Sequence, residues 1–449
     1  MPHPDRETLA QYLNGTLPDG ASRALQRHLS LCPTCEERLV ALAPGPSLSL
    51  STAPPEEDYQ DLIRRLLDSQ RAEVAAIRHG LAAERAAAPR LWREIAPEPQ
   101  ERRRQRVLDE PRFQTWGFFE LLIDRAYGAI QEDPRAAEDL LRLAVAVAGQ
   151  LGSAGYGPAA GETAQARAWI WLANILRVQG DFQQAEAALQ TAERHLSRGW
   201  LDPLDEALLL EVKGALRRGQ RRFAEAVELL DAAIDIYWEV NEPHLQGRAL
   251  GIKGLVLQYT GDFTAAADCF RTSLFLVDGL REPRLVLTNQ YNLIGCLHDA
   301  GQSAEAASLI VDARRLTEQV GRRSDLLRLR WTEGKIAASR GRLETAEAAL
   351  REVREAFFES SLVFDAALVS LDLAAVYLRQ HRAEETKRLA AELIPVFQTR
   401  DVHREILASL IVFQQAADLE QLTAGLIEET AARLRQARGN PQPRPGTEA

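Results

Sequence analysis

The sequence predicts an all-α chain in which a small helical head precedes a right-handed solenoid of helix pairs recurring about every 40 residues. Three observations carry this reading. The signal from about residue 113 to the end is almost wholly helical. A short Gly-x-Phe…Ala motif recurs at fixed spacing through that stretch. Near the start, His28, Cys32 and Cys35 fall at spacings that let three side chains reach one ion.

The repeat is clearest at Gly180-Asp181-Phe182-Gln183-Gln184-Ala185-Glu186-Ala187. Its counterparts begin at Arg221, Gly261, Gly301, Gly341 and His381, at intervals of 41, 40, 40, 40 and 40 residues. An earlier copy centres on residues 133–137, with an insertion at residues 152–161 lengthening the first interval. Each unit reads as two helices around a tight turn. The Gly at the turn suits the left-handed backbone that ends a helix. Small residues flank the turn: Ala173, Gly214, Gly254, Gly334 and Ala374 before it, Ala185, Ala226, Ala266, Ala306 and Ala346 after it. They let paired helices approach closely, while Leu176, Leu257, Ile336 and Tyr377 fill the space beside them.

In the head, His28 and Cys32 are four apart, so one helix face presents both, and the Cys-x-x-Cys pair curls round the ion. Zinc favours a closed tetrahedron of four such nitrogen and sulfur ligands. His3, 25 residues before His28, is the candidate fourth ligand. Between them the chain reads as a short helix, a turn at Gly15, and a second helix from about Asp19 to His28. The boundaries expected are residues 1–45 for this head and 46–112 for a Pro/Ser-rich linker carrying a helix over 57–88. Residues 113–436 form the repeats and 437–449 a disordered tail. In the linker helix, Leu62, Ile63, Leu66, Leu67, Val74, Ile77 and Leu81 form an apolar stripe, and Pro89 is expected to end it.

Two resemblances follow. Through Leu172-Ala173, Leu176, Gly180, Phe182, Ala185 and Ala192, and their recurrences over roughly 320 residues, the array resembles the tetratricopeptide repeat, with a period longer than that family's usual 34 residues. The unit at His381 lacks the turn Gly, Gly295 falls one residue late, and residues 401–436 look degenerate, as a capping unit should. The head resembles the zinc-binding anti-sigma domain through His3, Leu9, Tyr12-Leu13-Asn14-Gly15-Thr16-Leu17 and His28 to Cys35. That resemblance implies that His3, His28, Cys32 and Cys35 bind one structural zinc. It also implies that a helix after the zinc unit completes a sigma-binding surface, a role open to residues 57–88; the alternative is that this helix caps the first repeat. Redox-sensing relatives carry a Cys at the first ligand position. Here it is His3, and Cys32 and Cys35 lie on neighbouring turns, so no thiol switch is expected.

Composition narrows the function. The 449 residues are 46% hydrophobic and carry a net charge of −10, which suits a globular protein and argues against non-specific nucleic-acid binding. The run Arg102-Arg103-Arg104-Gln105-Arg106 is a solvated face or a contact for an acidic partner. Arg supplies nearly all basic residues and Ala is abundant, as in a GC-rich bacterial genome. With neither a secretory signal pattern nor a membrane-length apolar stretch, a cytoplasmic protein is expected. Cys269 and Cys296 read as small buried hydrophobes. No phosphate loop, nucleophile elbow or His-Glu-x-x-His helix occurs, so no enzyme is expected.

Projecting the repeat register turns Arg167, Asn174, Arg177, Arg218, Arg248, Asn289, Asn292, Arg328, Trp331 and Lys335 towards the concave face. Such a row suits an acidic peptide or a C-terminal carboxylate, or else is ordinary solvated surface. The sequence thus predicts a non-enzymatic regulator whose zinc head binds a sigma factor or similar protein partner and whose repeats bind a second protein. Its rival is a signalling or assembly scaffold in which the zinc domain is structural or a docking module and the repeats bind a partner peptide.

Overall fold

The structure, a computed structural model, describes residues 3–42, 56–130, 132–360, 362–398, 413–414 and 423–438. Residues 46–55 of the expected linker, 401–412 of the degenerate end and 439–449 of the expected tail lie outside the described residues. Two compact units divide at Ala86/Ala87, and the described residues are helical throughout, without strands.

The first unit holds α1 (Arg6–Leu13), α2 (Asp19–Leu31) and α3 (Pro33–Leu42), with α3 packed against both of the others. Most of α4 (Glu56–Ile95) belongs here too. Pro89 does not end this helix, contrary to expectation. Proline removes one backbone donor and crowds the preceding turn, at a cost of about 3 kcal/mol. Burial on the far side offsets it: Ala88 and Ile95 are fully enclosed, with Leu91 and Trp92 packed beside them in the core of the second unit.

In the second unit come α5 (Gln100–Asp109), α6 (Trp116–Ala129) and α7 (Pro134–Leu151), then a π turn at Gly152–Tyr156 where the insertion was expected. There follow α8 (Pro158–Val178), α9 (Phe182–Leu196), α10 (Pro203–Gly219), α11 (Phe223–Glu239), α12 (Pro243–Thr260) and α13 (Phe263–Leu276). The array continues through α14 (Pro283–Asp299), α15 (Ser303–Val320), α16 (Arg323–Ser339), α17 (Leu343–Glu359), α18 (Val363–Arg379) and α19 (Ala383–Gln398), and α20 (Ala424–Arg438) packs on α18. Part of the basic run is structural: Arg106 on α5 ties Glu98 at 2.9 Å to Glu110 at 2.6 Å.

Each repeat is an antiparallel pair, and each pair stacks on the next. The sequence explains the boundaries. Prolines 158, 203, 243 and 283 open the first helices, where the fixed φ is pre-set and the missing donor costs nothing. Asp181 and Asp262 cap second helices through the amides of Gln184 and Ala265. The turn residue is left-handed in all six copies, from Gly180 at φ 85° to His381 at φ 57°, and Arg221 holds φ 63° without the help of a Gly. The register alanines 185, 226, 266, 306 and 346 are fully buried. A Cβ added to Gly254 would lie 2.9 Å from the Phe270 ring, so the missing side chain is what lets α12 and α13 meet.

The array also curls far enough for its beginning to meet its middle. Arg322, which precedes α16, donates to Glu132, which precedes α7, at 2.6 Å across 190 residues. Burial pushes the Tyr127 hydroxyl on α6 up to about 12 and the charge of Glu282 adds to it, and Asp124 feels Arg281.

Candidate metal centre

The head's ligands are brought together by local rules. Asp5 caps α1, accepting from the Thr8 amide at 2.8 Å and its hydroxyl at 2.7 Å, which fixes the chain just beyond His3. These bonds hold the Asp5 carboxyl below its usual range. Gly15, at φ 67°, turns the chain back into α2. His28 lies in the last turn of α2, and Cys32 follows it in extended conformation. Pro33 then starts α3, and the Cys35 amide donates to the Cys32 carbonyl at 3.0 Å, closing a tight turn between the two thiols.

The ligand atoms of His3, His28, Cys32 and Cys35 all lie within 4.8 Å of one another. His3 Nδ1 is 3.1 Å from Cys35 Sγ and 3.5 Å from Cys32 Sγ, and His28 Nε2 is 3.3 Å from Cys35 Sγ. In a zinc tetrahedron with Zn–N about 2.0 Å and Zn–S about 2.3 Å, nitrogen and sulfur ligands sit about 3.5 Å apart. The observed separations are therefore close to the edges of that tetrahedron. The imidazoles meet edge to face at 84°, so neither stacks on the other. Burial pushes the Cys35 thiol up, and Cys32 beside it adds to the effect. A divalent cation reverses that preference, and two thiolates with two neutral imidazoles balance its charge. The residues fit a metal, and the donor set fits zinc. Of the remaining thiols, Cys296 is buried and pushed up to about 12 by burial, and Cys269 is half-buried.

The residues projected onto the concave face divide in two. Several are committed between repeats. Arg167 on α8 forks onto Asp205 on α10 at 2.7 and 3.0 Å, and Arg248 on α12 onto Glu211 at 2.8 and 2.9 Å. Trp331 donates to Asp372 at 2.6 Å and Lys335 to Asp299 at 3.3 Å, whereas Arg328 lies 3.9 Å from Asp325 of its own helix. Asn289 is only 2% exposed and donates to Ser273 Oγ at 2.7 Å, so it belongs to helix packing and not to a groove. Asn292 is half-buried on α14. Asn174 accepts from Arg177 at 2.8 Å. Arg177 and Arg218 have no carboxylate partner among the described residues. Burial and then the neighbouring Arg218 pull Arg177 down to about 10, and burial lowers Arg218. The acidic partners Asp205, Glu211, Asp299 and Asp372 escaped the sequence reading. Their signal was spacing: each lies 36 to 41 residues, about one repeat, from its cation or indole.

Fold and site together define a tetratricopeptide-like α-solenoid preceded by a two-His, two-Cys head. Among solved structures the chain is similar to a Rap protein complexed with competence and sporulation factor, at 13% identity and TM-score 0.51, over 72% of this chain and 87% of that one. It is likewise similar to the apo form of RapI, at 14% identity and TM-score 0.54, over 71% of this chain and 86% of that one. At these identities the likeness is one of fold. No protein-family model and no curated protein matches the chain. Among the described residues no helix is long and apolar enough to cross a membrane.

Proposed function

We propose that the chain is a non-enzymatic regulator of transcription, in which the zinc head and α4 hold a sigma factor while the repeats bind a second protein. The observation that carries this reading is the His3–His28–Cys32–Cys35 cluster followed by an apolar seam on α4. Ile63, Leu67, Val74 and Ile77 are 41 to 56% exposed and recur at heptad spacing on one side of the helix. Arg64, Arg71, Arg78 and Arg85 recur every seven residues along one edge of that seam, all exposed. An apolar seam with a basic edge suits an amphipathic partner helix with an acidic edge. Against a second copy of itself in antiparallel register, the seam would set arginine against arginine.

The test is affinity capture from the source cells with the full chain, a deletion of residues 1–100, and V74D. A sigma factor held by the full chain and lost in both others is the expected result. Capture of no sigma factor overturns the reading in favour of a scaffold. Metal analysis of the purified chain should give about one zinc per chain; a content near zero removes the site.

A further inference from the structure

Six cations were projected onto the inner row, and four of them meet carboxylates: Arg167, Arg248, Arg328 and Lys335. Arg177 and Arg218 do not. They occupy the same register on neighbouring first helices, each three residues before the left-handed turn residue, Gly180 and Arg221. Their helices α8 and α10 pack together. Arg177 is bonded only by Asn174 of its own helix, and Arg218 has neither a hydrogen bond nor an ion pair among the described residues. Both are half-buried, and both are depressed by burial, Arg177 additionally by its neighbour. A guanidinium taken out of water without a counter-charge is costly, and two side by side repel. Glu211, which Arg248 already engages, also attracts Arg177 without forming an ion pair with it, so a single carboxylate faces these guanidiniums and a positive excess remains.

We infer that Arg177 and Arg218 form a seat on the inner face of the array for a carboxylate of an acidic peptide. This rests on the reading of the array as a partner-binding surface. Guanidinium forks match carboxylate geometry in two parallel bonds, and a bound carboxylate supplies the charge this pair lacks. The asymmetry along the row gives the seat a direction. The equivalent positions in the next two repeats are Gln258 and His298, so the cationic end lies at the first repeats and an amide follows it.

The test uses the full zinc-loaded chain and a fluorescent hexaglutamate peptide, with hexaglutamine as its uncharged counterpart and inorganic phosphate as competitor. Hexaglutamate should bind and hexaglutamine should not. R177Q/R218Q should weaken hexaglutamate binding by at least about tenfold, with R218K retaining part of it. Without peptide, R177Q/R218Q should melt no lower than the unsubstituted chain, because the charges removed were repelling each other. Equal peptide binding by the double variant overturns the inference. So does a lower melting point without peptide, which makes the pair structural. Complete displacement by millimolar phosphate overturns it in favour of an inorganic anion site. V74D should leave hexaglutamate binding unchanged, which separates failure of this seat from failure of the sigma-binding reading.

Discussion

Among the side chains described in residues 3–42, the buried apolar ones include Leu9, Leu25 and Cys35, and Cys35 belongs to the His/Cys cluster. In the single helix pair α12/α13, Ala249, Val256, Ala266, Ala267 and Phe270 are all buried, and the pairs on either side add more. A domain of this size gains much of its order from a staple where its core is small, and a metal held by the His/Cys cluster would be that staple. Among its described residues the array is held by contacts between successive helices. Similar helices with similar caps converge on one cluster of ligand atoms in the first case and are held by distributed contact in the second.

Four perturbations break or sharpen that contrast. The largest is removal of the metal, since zinc binding of this kind couples about 10 kcal/mol or more to folding. A strong chelator, or C35S, should abolish amide protection over residues 6–42 while leaving that of α8 to α13 intact, as hydrogen exchange would read. If both regions lose protection together, the two are not separately held. Next is F270A, which opens a cavity between α12 and α13 at a cost of about 3–5 kcal/mol. Its melting transition should fall with zinc content unchanged. Smaller again is G254A, whose added methyl meets the Phe270 ring and should cost about 1–3 kcal/mol.

The smallest effect is on pH. Glu186, lowered by its bonds to Arg217, stabilises α9 against α10 above the ordinary carboxylate value of about 4.3. That contribution is lost as pH falls through the lowered folded value. Metal ligands must be deprotonated, so the head should release zinc on acidification before the array loses this ion pair. Thermal melts of the unsubstituted chain and E186Q should converge only at acid pH, after zinc release; convergence at neutral pH would show the pair to be idle.

Much of this contrast was legible in the sequence because both regions rest on spacing. His28, Cys32 and Cys35 are close in sequence, and the helix end at Leu31 brings them together, although Cys32 is extended and does not continue the helix face of His28 as the spacing suggests. The turn residues and their flanking alanines recur with a period that only stacked pairs satisfy. What escaped depends on partners outside the local pattern. Pro89 reads as a stop, and only the enclosure of Ala88 and Ile95 overrides it. Arg221 and His381 lack the residue type that marks a left-handed turn, yet the helices on both sides impose one. Register projects Asn289 onto the concave face, while its amide is drawn into the helix packing by Ser273. The arginines of the projected row looked alike until carboxylates, one repeat away for Arg167 and Arg248, set these apart from Arg177 and Arg218.

The meeting of Arg322 with Glu132 changes how mechanical load travels through the array. A stack of repeats behaves as a chain of springs in series, each member feeling only the two beside it. A latch between the first pair and the joint of the fifth and sixth adds a parallel strand to that circuit, so bending any intervening joint also strains the latch. Being exposed, it is weak and is screened by salt. Ionic strength thereby reaches the curl of the array through this contact.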